Sequence, residues 1–521
     1  MTPLRVGFIL PAETVPAWAA RLIENTRSQL NVEGVCALLL GQESAPGGLF
    51  RLFSRIDRRF FHPNPSPWEP TRLPADLPLL RGDARVHLES LRLDLLINLA
   101  LTESPPELPA LARLGMWTAR DGRARIVIGA PVGWRELTFG ERLTTCQVEV
   151  TRGGASQIAA QAVLATDPQS ITRNQMRLLW RAASMLPRAL GLLLHRGEAD
   201  FFAAAPPAAP AVPARSPNLL HLARLVPRQA HYTLRKAWRK RFTSEQWRLM
   251  LARRGGNAPL RWEGFSPLVP PPDRLWADPC VIERDGKAYI FVEELLFSER
   301  RGAINCLTLD EAGGVAANTR VLEKPHHLSY PFVFEYQGAW YLLPEMSANR
   351  NLELYRCTHF PDQWTYEKTL LHDVAALDAT LLEHEGRWWL FTNLAEDMGN
   401  STWDSLHLFY ADSPLSATWT PHPLNPVVAD VRSARPAGRP FRRGGQLFRP
   451  SQDSMLRYGH SLRLNRVDKL TVDEYEERTV ETLVPPQGSD IIATHTLSVS
   501  EHLTVIDVQT RHSRFVTALG Y

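Results

Sequence analysis

The feature that most limits how this chain can fold is a sentence it writes several times over. From Asp278, "DPCVIERDGKAYIFVE" places Gly286 at the eighth position and Glu293 at the fifteenth. The same offsets recur from Tyr330 (Gly338, Glu345), from Asp378 (Gly386, Asn393) and from Ala437 (Gly445, Gln452). The starts lie 52, 48 and 59 residues apart, and a weaker fifth copy, "IIATHTLSVSEHLTVIDVQ", follows. Units of roughly 50 residues that each hold several short strands are the signature of a β-propeller. Five copies predict five blades; a β-sandwich with coincident hairpins would not keep four sets of offsets in step.

The offsets also predict a register. A two-residue turn at positions seven and eight, type I′ for Asp285-Gly286, pairs position six with position nine. Counted outward, Asp278 is then expected to face Glu293, Tyr330 to face Glu345 and Asp378 to face Asn393, with Cβ atoms about 5 Å apart. If position zero opens each innermost strand, these residues ring one mouth of the central channel.

A chain of 521 residues exceeds one ordinary core, so further domains are expected. Residues 1–202 alternate apolar strands ("LRVGFIL", "VEGVCALLL", "LDLLINLAL") with amphipathic helices, an α/β pattern with a parallel sheet. No GxGxxG follows the first strand, so a dinucleotide fingerprint is missing. Residues 203–217, "AAAPPAAPAVPARSP", read as a semi-stiff linker. Residues 218–258 read as a basic helical segment, either a solvated face between domains or an interfacial helix for anionic lipid, since Leu and Trp alternate with Arg and Lys over 218–254. Nucleic acid is not expected, because no base-reading motif accompanies the charge and the net charge is only +4. The propeller is expected over 259–521.

Five scattered cysteines without CxxC speak against a disulfide framework or a zinc site, and "KPHHLSYP" lacks a metal-ligand spacing, so no metal is expected. The first residues carry only a short apolar run, and no stretch reaches the roughly 20 apolar residues of a membrane span. The expected location is the cytoplasm, including the inner face of the membrane.

Two carboxylates about 5 Å or more apart that flank a sugar are what glycosyl chemistry requires. Asp278, Glu345 and Asp378 come from successive blades and are the candidate catalytic acids, with Glu293, Tyr330, Asn393 and Gln452 as substrate contacts. Trp276, Trp388, Trp389 and Trp403 are candidate stacking surfaces, the middle two equally suited to blade packing. The fourth copy adds Asp430, Arg432, Arg435, Arg439, Arg449 and Asp453 within a short span. Arginine forks hold phosphate, which a transferase with a phosphate-linked sugar donor needs and a plain glycosidase does not. The same residues would alternatively form Arg–Asp pairs that lock the blade. No other cofactor is expected.

"WADPCVIERDG", "HLSYPFVFEYQGAWYLLPE", "DATLLEHEGRWWLF" and "HPLNPVVADVRSARPAGRPFRRGGQLFRPSQD" resemble the N-terminal domain of the plant glucosamine inositolphosphorylceramide transferases, over about residues 262–495. More distantly, the Asp-Pro strand starts resemble the five-bladed arabinanase and xylosidase type of glycosidase. That resemblance implies a funnel with Asp278, Asp378 and Glu345 as its acids. In the first domain, "DLLINLA", "GMWTARDG" and "GAPVGWRELTFGE" resemble the formyltransferase N-terminal domain. The His and Asp of active members are replaced by the stretches Trp117–Arg120 and Arg152–Gly154, which implies a domain without formyl transfer. The expected function is glycosyl transfer to a surface polysaccharide or glycolipid, with a glycoside hydrolase and a non-catalytic glycan-binding scaffold as alternatives.

Overall fold

The computed structural model describes the chain except residues 1–2, 30, 41–46, 63, 82–84, 104, 395–400 and 515–521. Two compact units result, residues 1–236 and residues 237–395 with 402–521.

The first unit is built on a seven-stranded sheet. Leu79–Arg81, Val32–Leu39, Leu4–Leu10, Leu95–Asn98 and Met116–Arg120 run parallel in that order, as their continuous apolar runs predict. Leu143–Arg152 and Ala155–Ala165 extend the sheet antiparallel. Helix Ile171–Arg196, whose first turn is capped by Ser170 Oγ accepting from Arg173 N, packs its long buried face on the sheet. The Pro/Ala stretch is not a free linker. Its carbonyls are used by the sheet: Pro206 O accepts from Ile158 N, Ala209 O from Arg120 Nη1, and Ala208 N donates to Ser156 O. Proline removes donors but leaves acceptors, so an extended strap on the sheet satisfies it.

The second unit is a five-bladed propeller. Four blades are four-stranded antiparallel sheets: residues 274–322, 329–371, 377–421 and 441–483. Their inner hairpins turn at Asp285-Gly286, Gln337-Gly338, Glu385-Gly386 and Gly444-Gly445, all with positive φ at both residues, as type I′ requires. The fifth blade joins the first and last strands of the second unit. Strand Thr243–Ala252 pairs along its whole length with Thr504–Ser513, flanked outside by Ser266–Leu268 and inside by Ile491–Ala493 and Leu497–Val499.

The expected boundary at 259 is therefore corrected. The basic helix runs only from Leu219 to Phe242, and Thr243–Ala252 belongs to the propeller as the strand that closes the ring. Closure removes the exposed edge that a four-and-a-half-bladed ring would carry. Leu249 in this strand is fully buried among Trp276, Val281, Ile290, Leu307 and Val505. Leu249→Ala is expected to cost the propeller about 2–5 kcal/mol in urea unfolding, the range for deleting a buried leucine side chain. A cost below about 1 kcal/mol would show that closure does not depend on this strand.

Candidate active site in the propeller channel

The predicted register holds along most of each inner hairpin and then breaks where it matters. Cys280 pairs with Phe291, Phe332 with Leu343 and Thr380 with Phe391, all as counted. One step further the partners are Ala277 with Glu293, Ser329 with Glu345 and Leu377 with Asn393. Position zero is a bulge. Asp278, Tyr330 and Asp378 have φ of 52°, 50° for the two aspartates and 43° for the tyrosine. Left-handed geometry at a non-glycine residue costs of order 1–3 kcal/mol and persists only where the surroundings hold it. The fourth copy slips further: Pro436 bridges Ser451, so Ala437 is packed into the core and Arg435 takes the channel position.

What holds each bulge is a polar group from a neighbouring blade. Asp278 N donates to Asp507 Oδ2 (3.0 Å), Tyr330 N to Asp278 Oδ2 (3.2 Å) and Asp378 N to Glu345 Oε2 (3.0 Å). Gly438 N donates to the Tyr330 hydroxyl (2.7 Å), which also meets Thr380 Oγ1 (2.9 Å). The acids of the repeat thus stitch blade to blade while they line the channel.

Two charged groups result. In the first, His495 stands between two carboxylates, with Nδ1 2.7 Å from Asp507 Oδ2 and Nε2 3.4 Å from Asp278 Oδ1. Thr496 Oγ1 donates to the same Asp278 oxygen (2.9 Å). Burial alone would lower the His495 pKa, but Asp507 and Asp278 raise it to about 9, so the ring is an imidazolium at neutral pH. Burial pushes Asp278 up to about 7 against the pull of His495. Asp507, despite burial, lies below the usual carboxylate range because His495 and backbone N–H groups favour its anion. One ligand atom from each of Asp278, His495 and Asp507 lies within 4.8 Å of the others, the spacing of a cation site. Both ring nitrogens face carboxylates, however, and a metal would have to replace the imidazolium proton.

In the second group, Arg435 Nε and Nη2 donate to the two oxygens of Asp378 (2.5 and 3.3 Å), and Gln452 Nε2 adds a third bond (2.8 Å). Glu345 lies beside them, 3.9 Å from Arg435 Nη2. Burial first, then the neighbouring Asp378 charge, hold Glu345 well above the usual carboxylate range. Tyr458, half-buried, covers Arg435 with its ring (4.9 Å), touches His495 edge-on (5.2 Å) and neighbours Trp403 (5.9 Å).

Of the residues singled out from sequence, Asp278, Glu345, Asp378, Tyr330, Arg435 and Gln452 converge in the channel. Glu293 pairs with His327 (3.2 Å) beside Asp278. Arg439 reaches across to Val333 O and lies over Phe332, held to blade backbone. Two arginines and one aspartate of the fourth copy are engaged within their own blade region. Arg449 is buried against Glu477 inside the fourth blade, Arg432 forks onto Asp430, and Asp453 is taken by Arg463. Asn393 is fully buried and donates to Thr402 O. Trp276 bonds Glu294, and Trp388 and Trp389 pack between blades, so none of the three lines the channel. His495, Asp507, Thr496 and Tyr458 were missed. The first three sit in the fifth copy, whose turn lacks glycine and whose offsets are therefore hard to count.

In the first unit, Asn98 spends its side chain on Ala100 N, Leu101 N and Leu101 O. Arg120, at the end of strand Met116–Arg120, is buried 3.7 Å from Glu149. The likeness to that family rests on the sequence motifs alone.

The electrostatics predict a pH dependence. A histidine raised from 6.5 to about 9 contributes stability fully present below about pH 6.5 and lost as pH rises through about 9. The propeller's melting temperature is expected to fall across that window, and His495→Gln to flatten the fall. An identical slope in the variant would show that His495 is not held as an imidazolium.

Residues 269–512 match the family described as "Glucosamine inositolphosphorylceramide transferase 1, N-terminal". Glucosamine inositolphosphorylceramide transferase 1 of Oryza sativa subsp. japonica is 36% identical over 209 residues, 40% of this chain and 28% of the relative. The Arabidopsis thaliana protein of that name is 34% identical over 209 residues, 40% of this chain and 27% of the relative. The match thus spans little more than a quarter of these relatives. Among solved structures, a family 117 glycoside hydrolase of Zobellia galactanivorans aligns with TM-score 0.34 and 12% identity over 51% of this chain and 90% of that one. A family 43 β-xylosidase/α-arabinofuranosidase from a compost metagenome aligns with TM-score 0.36 and 13% identity over 50% and 94%. At such scores neither chemistry nor substrate carries across. The close likeness lies in the propeller, whose residues 269–512 match the N-terminal domain family of the glucosamine inositolphosphorylceramide transferases.

Proposed function

We propose that the propeller is a glycosyl-transfer module acting on a carbohydrate or glycolipid, with Glu345 as proton donor and Asp278 as base. The observation that carries this reading is the buried Glu345 beside the Arg435–Asp378 pair, its carboxyl held well above the usual carboxylate range. Glycosyl chemistry needs an acid at the leaving or sugar oxygen and a carboxylate near the developing positive charge. Asp278, with a pKa of about 7, can accept the proton of an acceptor hydroxyl at neutral pH. Arg435 acts through Asp378 and is a positioning residue, which revises its expected role as a phosphate holder. Arg432, half-exposed and paired only locally with Asp430, is the better candidate for a donor phosphate. Gln452 Oε1 is buried without a hydrogen-bond partner among the described residues, an acceptor suited to a sugar hydroxyl. The name of the plant relatives, transferases of a glycolipid, supports transfer over hydrolysis.

A second reading, a glycan-binding scaffold, is favoured by the backbone bonds that the same acids make between blades. Glu345→Gln separates the two, because the amide oxygen still accepts from Asp378 N. Under the catalytic reading this variant melts like the parent but transfers sugar from a panel of phosphate-linked donors about 10²–10⁴-fold more slowly. Unchanged turnover in Glu345→Gln would remove Glu345 from the chemistry, and sugar binding without turnover in the parent would support the scaffold. Hydrolysis of arabinoside or xyloside probes without any phosphate donor would identify a glycosidase instead.

A further inference from the structure

Helix Gly48–Phe60, and helix Leu219–Phe242 over the part up to Lys236 that belongs to the first unit, each bury one face and leave an apolar stripe in solvent. In helix Gly48–Phe60, Phe50, Ser54 and Asp57 face inward. Leu49, Leu52, Ile56 and Phe60 are 61%, 55%, 49% and 75% exposed at steps of three and four, one continuous face. Arg51, Arg55 and Arg59 are exposed beside it. The helix's one acid, Asp57, is turned in and consumed, accepting from Ser170 Oγ (2.6 Å) and Thr172 N (2.9 Å).

Helix Leu219–Phe242 repeats the arrangement. Leu222, Leu225 and Gln229 face inward. Leu220, Pro227 and Leu234, at steps of seven, form an exposed stripe. Arg224 and Arg235 are exposed, and the helix contains no Asp or Glu. The two helices are neighbours. Phe50, Phe53, Leu222 and Leu225 share one apolar cluster with Trp134 and Ile171, and Gly47 N donates to Ser216 Oγ (2.9 Å) just ahead of both helices' first turns.

We propose that these two helices dock the first unit on an anionic lipid surface, their apolar stripes entering the headgroup boundary and their arginines meeting lipid phosphates. Exposed apolar faces of this size mark an interaction surface. An amphipathic helix with a basic polar flank is the form that lies in a bilayer interface. Charge decides the occupant. A symmetric contact with a second copy would set arginine rows against basic residues without an exposed acid on either helix, which like-charge repulsion opposes. No helix among the described residues is long and apolar enough to cross a membrane, so the contact is peripheral.

The test uses the full chain and vesicles of phosphatidylcholine with or without phosphatidylglycerol. Cosedimentation is expected with the anionic vesicles only and is expected to weaken as salt is raised. Leu52→Glu/Ile56→Glu and, separately, Leu220→Glu/Leu234→Glu are each expected to reduce partitioning about tenfold or more, with melting curves like the parent's. Failure of the parent to bind anionic vesicles, or binding equal in parent and both variants, would overturn the proposal. So would a dimer in light scattering that either double variant converts to monomer, which would assign the face to a second copy.

Discussion

The propeller depends on a bond made repeatedly around its channel: a left-handed backbone N–H at the start of an inner strand, donated to a side-chain oxygen of a neighbouring blade. At Asp278, Tyr330 and Asp378 that oxygen belongs to a carboxyl group. The strain of each bulge is of order 1–3 kcal/mol, and a hydrogen bond to a carboxyl group contributes about 0.5–3 kcal/mol, the upper end where the group is charged, so the two are of similar size. The exchange has a geometric product. A regular strand would place position zero directly against position fifteen. The bulge instead turns Asp278 and Asp378 toward the channel and leaves Ala277 and Leu377 to complete the ladder. Stability and site geometry rest on the same atoms.

The carboxyl groups gathered in this way cannot all be charged, and the structure divides them. Asp507 and Asp278 flank the His495 imidazolium, and Asp378 takes the Arg435 fork. Glu345 has only a distant share of Arg435 and a near aspartate, so its carboxyl is raised well above the usual carboxylate range. Carboxyl groups in one cavity with pKa values pushed apart by their partners are the usual basis for separate acid and base roles. Tyr458 links the two groups by covering Arg435 on one side and touching His495 on the other.

Much of this was legible in the chain and some was not, for identifiable reasons. Glycine at the eighth position reports a type I′ turn through a steric rule, so the inner hairpins of four blades were readable. The bulges carry Asp and Tyr in left-handed geometry, without the glycine that would announce it, and the count therefore ran one residue too far. Thr243–Ala252 follows a basic helix without any break residue, and its partner lies some 260 positions later, beyond the reach of local pattern. The arginines of the fourth copy lie close together in the sequence but go to separate partners. Which of them face the channel is set by the slip at Pro436–Ser451, which leaves Arg435 inside and Arg449 within the blade.

The central claim, that the channel holds a protonated carboxyl group beside the Arg435–Asp378 pair at neutral pH, is open to direct observation. Infrared difference spectroscopy of the parent against Glu345→Gln at pH 7 reads the carbonyl stretch of a neutral carboxylic acid. The account predicts such a band in the parent and its loss in the variant, with the carboxylate bands unchanged. A carboxylate band lost in its place would show Glu345 ionised and would contradict the assignment of acid and base.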